Sequence, residues 1–260
     1  DFNRYLMEGF EGCIDTIIGD LDYLERVKYI ITLDADTILP RGSANALIAT
    51  LAHPLNQAEF DDKTGKVISG YTILQPRTEV KPTSVTKSLF TRIFAGDLGL
   101  DLYTRAVSDV YQDLIGEGIY VGKGIYDVRA FQKSLQNKVP DNTLLSHDLF
   151  EGLYGRAGLV TDIVFYEEYP PNYASHVKRL HRWVRGDWQL LPWLFPQVPI
   201  RKGNREENSF TTIDKWKIFD NLRRSLLSPT TMLSFIAGWI LFGDKAWIWT
   251  MIMLLVTAFP

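Results

Sequence analysis

The chain has 260 residues, 46% hydrophobic, 13% aromatic and 23% charged, which is enough apolar material for a large core and too much for a disordered or low-complexity protein. Twenty-eight basic residues against thirty-one acidic ones give a net charge of −3, a balance that argues against a nucleic-acid partner. The lone Cys13 excludes an intramolecular disulfide framework. The sequence begins at Asp1 with neither Met nor a signal-peptide pattern and ends inside an apolar run, so it reads as a segment of a longer polypeptide.

In chain order, residues 2–26 are expected to hold a helix. Residues 27–33 (VKYIITL) form a β-rich run, followed by a turn at Pro40 and Gly42. Ala44, Leu47, Ile48 and Leu51 then recur at helical spacing. A polar turn over 59–66 leads into a second expected strand over 67–74, and 160–166 makes a third. Strands alternating with helical patterns imply an α/β domain over residues 1–200. After Pro170 and Pro171, a helical stretch near 175–195 carries Trp183, Trp188 and Trp193 on a basic background, suited to a membrane surface.

Residues 201–224 read as a basic connector. From 225 to 243 there is no ionisable side chain, close to the ~20 apolar residues that a helix needs to cross a bilayer core. A polar break at Gly243, Asp244 and Lys245 separates this run from a second one, cut short, with Trp247 and Trp249 near its start. The pair over 225–260 reads as a hairpin of membrane helices, in contact with lipid. Lys215, Lys217, Arg223 and Arg224 ahead of it place the preceding domain in the cytoplasm. The competing reading is a buried helical pair in a soluble protein.

Four groups of residues carry chemistry. Asp34-Ala35-Asp36 follows the run YIITL directly. Alternation along an extended chain would aim both carboxylates to one side, where the carboxyl ends of strands in an open α/β sheet receive ligands. Such a pair suits Mg²⁺ or Mn²⁺ carrying a diphosphate. A phosphotransferase of the haloacid dehalogenase type also places D-x-D after a strand, but Ile38 stands where that pattern has Thr or Val. The segment IGEGIYVGKGIYDVR interleaves Gly116, Gly118, Gly122 and Gly124 with Tyr120 and Tyr126; it is open between a carbohydrate-contacting loop and a series of structural turns. In SHDLFEG, Asp148 precedes an apolar helical start with Ser146 as a cap and His147 as a neighbour, and is open between a general base and an ordinary capping acid. Lastly, Lys178, Arg179, Arg182 and Arg185 surround Trp183, as a phosphate clamp, a lipid-facing helix or both.

The order D-A-D, glycine-aromatic loop, acidic helix start and R-L-H-R-W ahead of apolar spans resembles the membrane-embedded, family 2-like processive glycosyltransferases. More closely, YIITLDADTILPRGSANALIATLAHPLN, GYTILQPR, GEGIYVGKGIYDVRAF and HVKRLHRWVRGDWQLLPWL are similar to the glycosyltransferase domain of cyclic β-1,2-glucan synthases (glycosyltransferase family 84), over about residues 27–200. The resemblance implies a Rossmann-like GT-A domain, N-terminally incomplete, in a multi-pass inner-membrane protein. It would transfer glucose from UDP-glucose to a growing β-glucan with inversion, or synthesise a related glycan. A catalytically silent membrane scaffold that binds glucan or nucleotide is the rival of another class.

By the same resemblance, Asp34 would lie against the nucleotide, Asp36 would hold the metal and Asp148 would be the base. Arg182 would sit by the diphosphate, with Trp183 beside donor or acceptor glucose. Gly122, Gly124 and Tyr126 would meet the acceptor. Arg179 stands in the donor-side position where Q-x-x-R-W has Gln. The uracil-binding residues would lie upstream, in the remainder of the same long polypeptide, leaving this segment inactive alone.

Overall fold

The computed structural model describes residues 2–9, 18, 22–62, 64–95, 110–140, 143–144 and 148–258. Its centre is a mixed four-stranded sheet in the order β1 (Tyr29–Thr32), β5 (Gly124–Asp127), β4 (Ile73–Val80), β6 (Ala157–Glu167). β4 and β6 run parallel, whereas β5 is antiparallel to both β1 and β4, with Thr32 opposite Gly124 and Leu74 opposite Ile125. The carboxyl ends of β1, β4 and β6 therefore share one edge of the sheet with the amino end of β5. That edge carries the candidate site.

Side chains alternate across the sheet. Leu74, Ile125, Val160, Ile163 and Phe165 face one side and bury Leu47 and Leu51 of helix α2 (Ser43–Ala52). Ile73, Tyr126 and Ala157 face the other, against Val128 and Phe131 of α6 (Val128–Leu135). The short helices α1 (Phe2–Glu8), α3 (Pro82–Val85), α4 (Leu89–Phe94) and α5 (Val110–Ile115) surround this frame, and β2 (Glu59–Phe60) pairs with β3 (Val67–Ser69) in a separate hairpin.

The run 67–74 is two strands rather than one. Its break is set by tertiary bonds: the Tyr71 N–H donates to Asn56 O, and Thr72 donates from both its N–H and its hydroxyl to Gly155 O. The third expected strand is longer than 160–166. At the N-terminus, the expected helix over 2–26 is helical at Phe2–Glu8 and a 3-10 turn at Leu24–Arg26; residues 10–17 and 19–21, Cys13 among them, lie outside the described residues.

A second core forms around α7 (Asp148–Gly155), where Phe150 packs edge-on against Trp193 with ring centres 4.9 Å apart, and Val198 and Phe210 close it. Helix α8 (Tyr173–Gln189) starts after Pro170 and Pro171 with Asn172 as its cap, the Asn172 carboxamide oxygen accepting from the Ser175 N–H. It ends at Gln189, and Leu191–Leu194 continue as a 3-10 turn that buries Trp193 instead of presenting it at a surface.

Residues 201–224 are structured too. β8 (Arg205–Glu207) pairs with β7 (Gln197–Pro199), and α9 (Thr212–Phe242) begins with a reciprocal cap between Thr211 and Asp214. Ile218 and Leu222 of α9 lie in the second core, and Lys217 is buried with its ammonium 3.4 Å from Glu117 and over the Tyr111 ring. The helix thus leaves the domain rooted in its core.

Beyond Ser225, α9 turns outward large apolar groups that include Leu227, Met232, Leu233, Trp239, Ile240 and Leu241. A 3-10 turn at Gly243–Lys245 leads back into α10 (Ala246–Ala258), joined to α9 by Trp249 Nε1 donating to Ser234 O and Trp239 Nε1 donating to Thr250 Oγ1. Among the described residues, one helical stretch, Thr212–Ala258, is long and apolar enough to cross a bilayer.

Candidate active site

Asp34 and Asp36 stand just past the end of β1, both exposed. The segment that bears them is a turn, not an extended strand: the Thr37 N–H donates to Asp34 O, and the Asp34 N–H donates to the Thr37 hydroxyl. What aims these carboxylates is therefore the turn and not strand alternation. Ile38 and Tyr166 exchange backbone hydrogen bonds of 2.7 and 3.3 Å, which clamps the turn to the end of β6 beside Glu167.

The loop ahead of β5 delivers two further groups. Buried Gln75 of β4 accepts from the Val121 N–H, fixing the loop's approach to the sheet. Gly122 has φ of 86°, and a Cβ there would lie 2.9 Å from Asp148 Oδ2, so only glycine lets the Asp148 carboxylate rest against this backbone. Lys123, its side chain 10% exposed, places Nζ 3.1 Å from Asp34 Oδ2 and 2.7 Å from Glu167 Oε1. Burial acts to lower the Lys123 pKa, but Glu167 and Asp34 outweigh it and hold the group above its ordinary value, firmly charged.

Asp148 is the first residue of α7, and Ser146 and His147 lie outside the described residues. Burial raises its carboxyl above the ordinary 3.8; Lys123 opposes the rise, Asp34 adds to it and Arg182 opposes it. Those interactions gather Asp34, Gly122, Lys123, Asp148 and Arg182 at one rim. One turn along α7, Glu151 is pushed up to about 8 by burial and by the Asp148 charge, so it is mostly protonated at neutral pH. Lining the same cavity as Glu151, the hydroxyls of Thr32 and Tyr120 are hydrogen-bonded at 2.9 Å.

On α8, Arg182 is exposed. The Arg179 guanidinium stacks over the rings of Trp183 and Tyr169, at 4.9 and 5.6 Å, and its buried Nε has no hydrogen-bond partner among the described residues. It holds the Trp183 plane by a cation–π contact, which a neutral Gln would not provide. At its far end α8 is bound to α9: the Trp188 indole donates to the Ser225 hydroxyl, and Asn221 donates to Asp187, whose carboxyl burial pushes up to about 6.

Of the other expected acceptor-side residues, Gly124 follows Lys123 at the same edge and Tyr126 lies two residues farther into β5. Gly124 opens β5, where a Cβ would strike the Leu74 carbonyl, so close strand packing requires a glycine there. Tyr126 stacks on Phe131 at 4.4 Å and donates to Asn3 Oδ1 on the opposite face of the sheet, where with Thr32, Tyr120 and Glu151 it lines a cavity of about 940 Å³. Sequence reasoning missed Lys123, Glu151 and Glu167. The signals were a lone cation between two glycines, a second acid three residues beyond Asp148, and an acid ending an apolar strand.

The family model described as "Glycosyl transferase family group 2" matches residues 29–260, from β1 through the apolar helices. The chain belongs to this family. It is also 42% identical over 232 residues to the cyclic beta-(1,2)-glucan synthase NdvB of Rhizobium meliloti (strain 1021), a stretch that covers 88% of this chain and 8% of that relative. The expected α/β fold is thus that of a family group 2 glycosyltransferase domain, and D-A-D, Gly122, Asp148, Arg182 and Trp183 all fall within the matched residues.

As to a metal, two exposed carboxylates one residue apart offer the oxygen donors that hard divalent cations take. Among the described residues no group of three or more His, Cys, Asp or Glu converges on one point. The residues therefore fit a cation that draws its remaining ligands from a diphosphate and water, not one caged by protein.

Proposed function

We propose that this chain is the catalytic core of an inverting glucosyltransferase that extends a β-1,2-glucan from UDP-glucose, within a longer membrane polypeptide whose product is cyclised. The observation that carries this reading is the 42% identity to the glucan synthase over 88% of this chain. Asp148 takes the proton from the acceptor 2-hydroxyl as its oxygen attacks C1 of the donor glucose. The C1–O bond to the diphosphate breaks, and its electron pair leaves with UDP. Burial raises the Asp148 carboxyl above its ordinary value, which makes its carboxylate a stronger proton acceptor.

Arg182 balances charge that develops on the departing diphosphate, and Trp183, held flat by Arg179, forms a floor for a glucose ring. Asp36, with Asp34 beside it on the nucleotide, would hold Mg²⁺ or Mn²⁺. When bound, such a cation supplies Lewis-acid stabilisation of the leaving group. The apolar surface of α9 and α10 enters the inner membrane as a hairpin, which leaves the catalytic domain on the cytoplasmic side. The bond between α8 and α9 then fixes the height of Arg182 and Trp183 above the lipid.

The test is incubation of membranes bearing the complete polypeptide with radiolabelled UDP-glucose, followed by linkage analysis. β-1,2-Linked product that falls to background with chelator, and in Asp36→Ala, is the expected result. Another linkage, or undiminished synthesis in Asp36→Ala, contradicts the reading.

A further inference from the structure

We infer that Lys123 is a built-in counter-ion that makes capture of the divalent cation depend on the donor diphosphate. The inference rests on the glycosyltransferase reading above and adds to it a residue and an order of binding. Three carboxylates, Asp34, Asp36 and Glu167, occupy the rim of the sheet, and Asp34 and Glu167 share the one Lys123 ammonium at 3.1 and 2.7 Å. The Thr37 hydroxyl, which accepts from the Asp34 N–H, also donates to Glu167 Oε1 at 3.4 Å. The two acids are therefore linked through Lys123, through Thr37 and through the Ile38–Tyr166 backbone pair.

The lysine is placed with little freedom. Its backbone lies between Gly122 at φ 86° and Gly124 at φ 144°, two conformations that L side chains rarely adopt, and its side chain is nearly buried. An ammonium held on Asp34 repels a dication approaching the same carboxylate or its neighbour Asp36. At such separations the repulsion is a large term even when screened, sufficient to weaken cation binding on the order of tenfold or more. A diphosphate reverses the balance, because its negative oxygens add ligands and offset the ammonium at once. The rim is thus closed to a bare cation and open to the cation together with the nucleotide. That order keeps a metal from occupying the site unproductively.

The measurement is Mn²⁺ binding to the complete polypeptide in detergent, read from the electron paramagnetic resonance of free Mn²⁺ with and without UDP. In the wild type, UDP is expected to tighten Mn²⁺ binding on the order of tenfold or more. Lys123→Met, which keeps the length and removes the charge, binds Mn²⁺ without UDP on the order of tenfold or more tighter than the wild type and so shows a smaller UDP dependence, while Lys123→Arg keeps the wild-type dependence. If Lys123→Met does not fold, the double variant Lys123→Met, Glu167→Gln removes the orphaned buried carboxylate and carries the same expectation. Unchanged UDP dependence in the charge-removing variant overturns the inference and leaves the proposed function standing, as does Lys123→Arg behaving like Lys123→Met. Absence of UDP-dependent Mn²⁺ binding in the wild type overturns the metal-donor reading itself.

Discussion

Glu151 gives the sharpest energetic prediction. Its carboxyl is raised from 4.5 to about 8 by burial and the nearby Asp148 charge, so the folded protein holds a proton that the unfolded chain has released. The group therefore stabilises the fold fully below pH 4.5 relative to higher pH, and that contribution is lost as pH rises through about 8. Working the linkage at pH 7 gives a burden on the order of 3 kcal/mol for keeping this side chain neutral, and about 1 kcal/mol at pH 5. Glu151→Gln supplies the neutral shape directly. It should stabilise the protein by up to about 3 kcal/mol at pH 7 and by much less at pH 5, flattening the pH dependence of unfolding between those values. Urea or thermal unfolding of wild type and variant in the same detergent, at unit steps from pH 5 to 8, measures the gap. A variant less stable than wild type at pH 7, or a gap that does not widen with pH, refutes the protonated burial of Glu151.

Further outcomes follow from packing and from the rim. Gly122→Ala places a Cβ 2.9 Å from Asp148 Oδ2 and displaces that carboxylate; if Asp148 is the base, transfer should fall about 10²-fold while donor binding changes little, since a shift of about 1 Å costs that much. The acid limb of the kcat/KM profile should lie above the ordinary carboxylate value of 3.8, because burial raises Asp148; a limb at or below that value argues against Asp148 as the base. At the helical hairpin, a side chain at Gly238 would overlap the Trp249 ring. Gly238→Leu should therefore destabilise the packing of α9 against α10 by about 1–3 kcal/mol, read as a lower apparent Tm in detergent.

Much of the sheet was legible because local pattern and tertiary environment agree. YIIT, the helix bearing Leu47 and Leu51, and the strand through Val160 and Ile163 all carry the periodicity of the faces they bury. The break in 67–74 was not legible, since the bonds of Thr72 to Gly155 that impose it come from 83 residues away. Nor was β5, a four-residue strand whose first residue is a glycine chosen for clearance against Leu74. At the site, Asp34, Asp148 and Arg182 announced themselves by motif. Lys123 and Glu167 did not, because their significance lies in an ion pair between separate strand ends. The structure of the basic stretch before the apolar run was not legible either: Lys217 is a buried core residue paired with Glu117, and the long apolar helix begins at Thr212 within the domain.

The most direct test of the central claim is the separation of donor binding from transfer in Asp148→Asn, made in the complete polypeptide. The substitution keeps the shape and removes the proton acceptor. UDP should still bind within a fewfold of wild type, while incorporation of glucose from UDP-glucose into β-1,2-glucan falls by about 10²–10⁴-fold. Glucan synthesis within a fewfold of wild type would contradict the account.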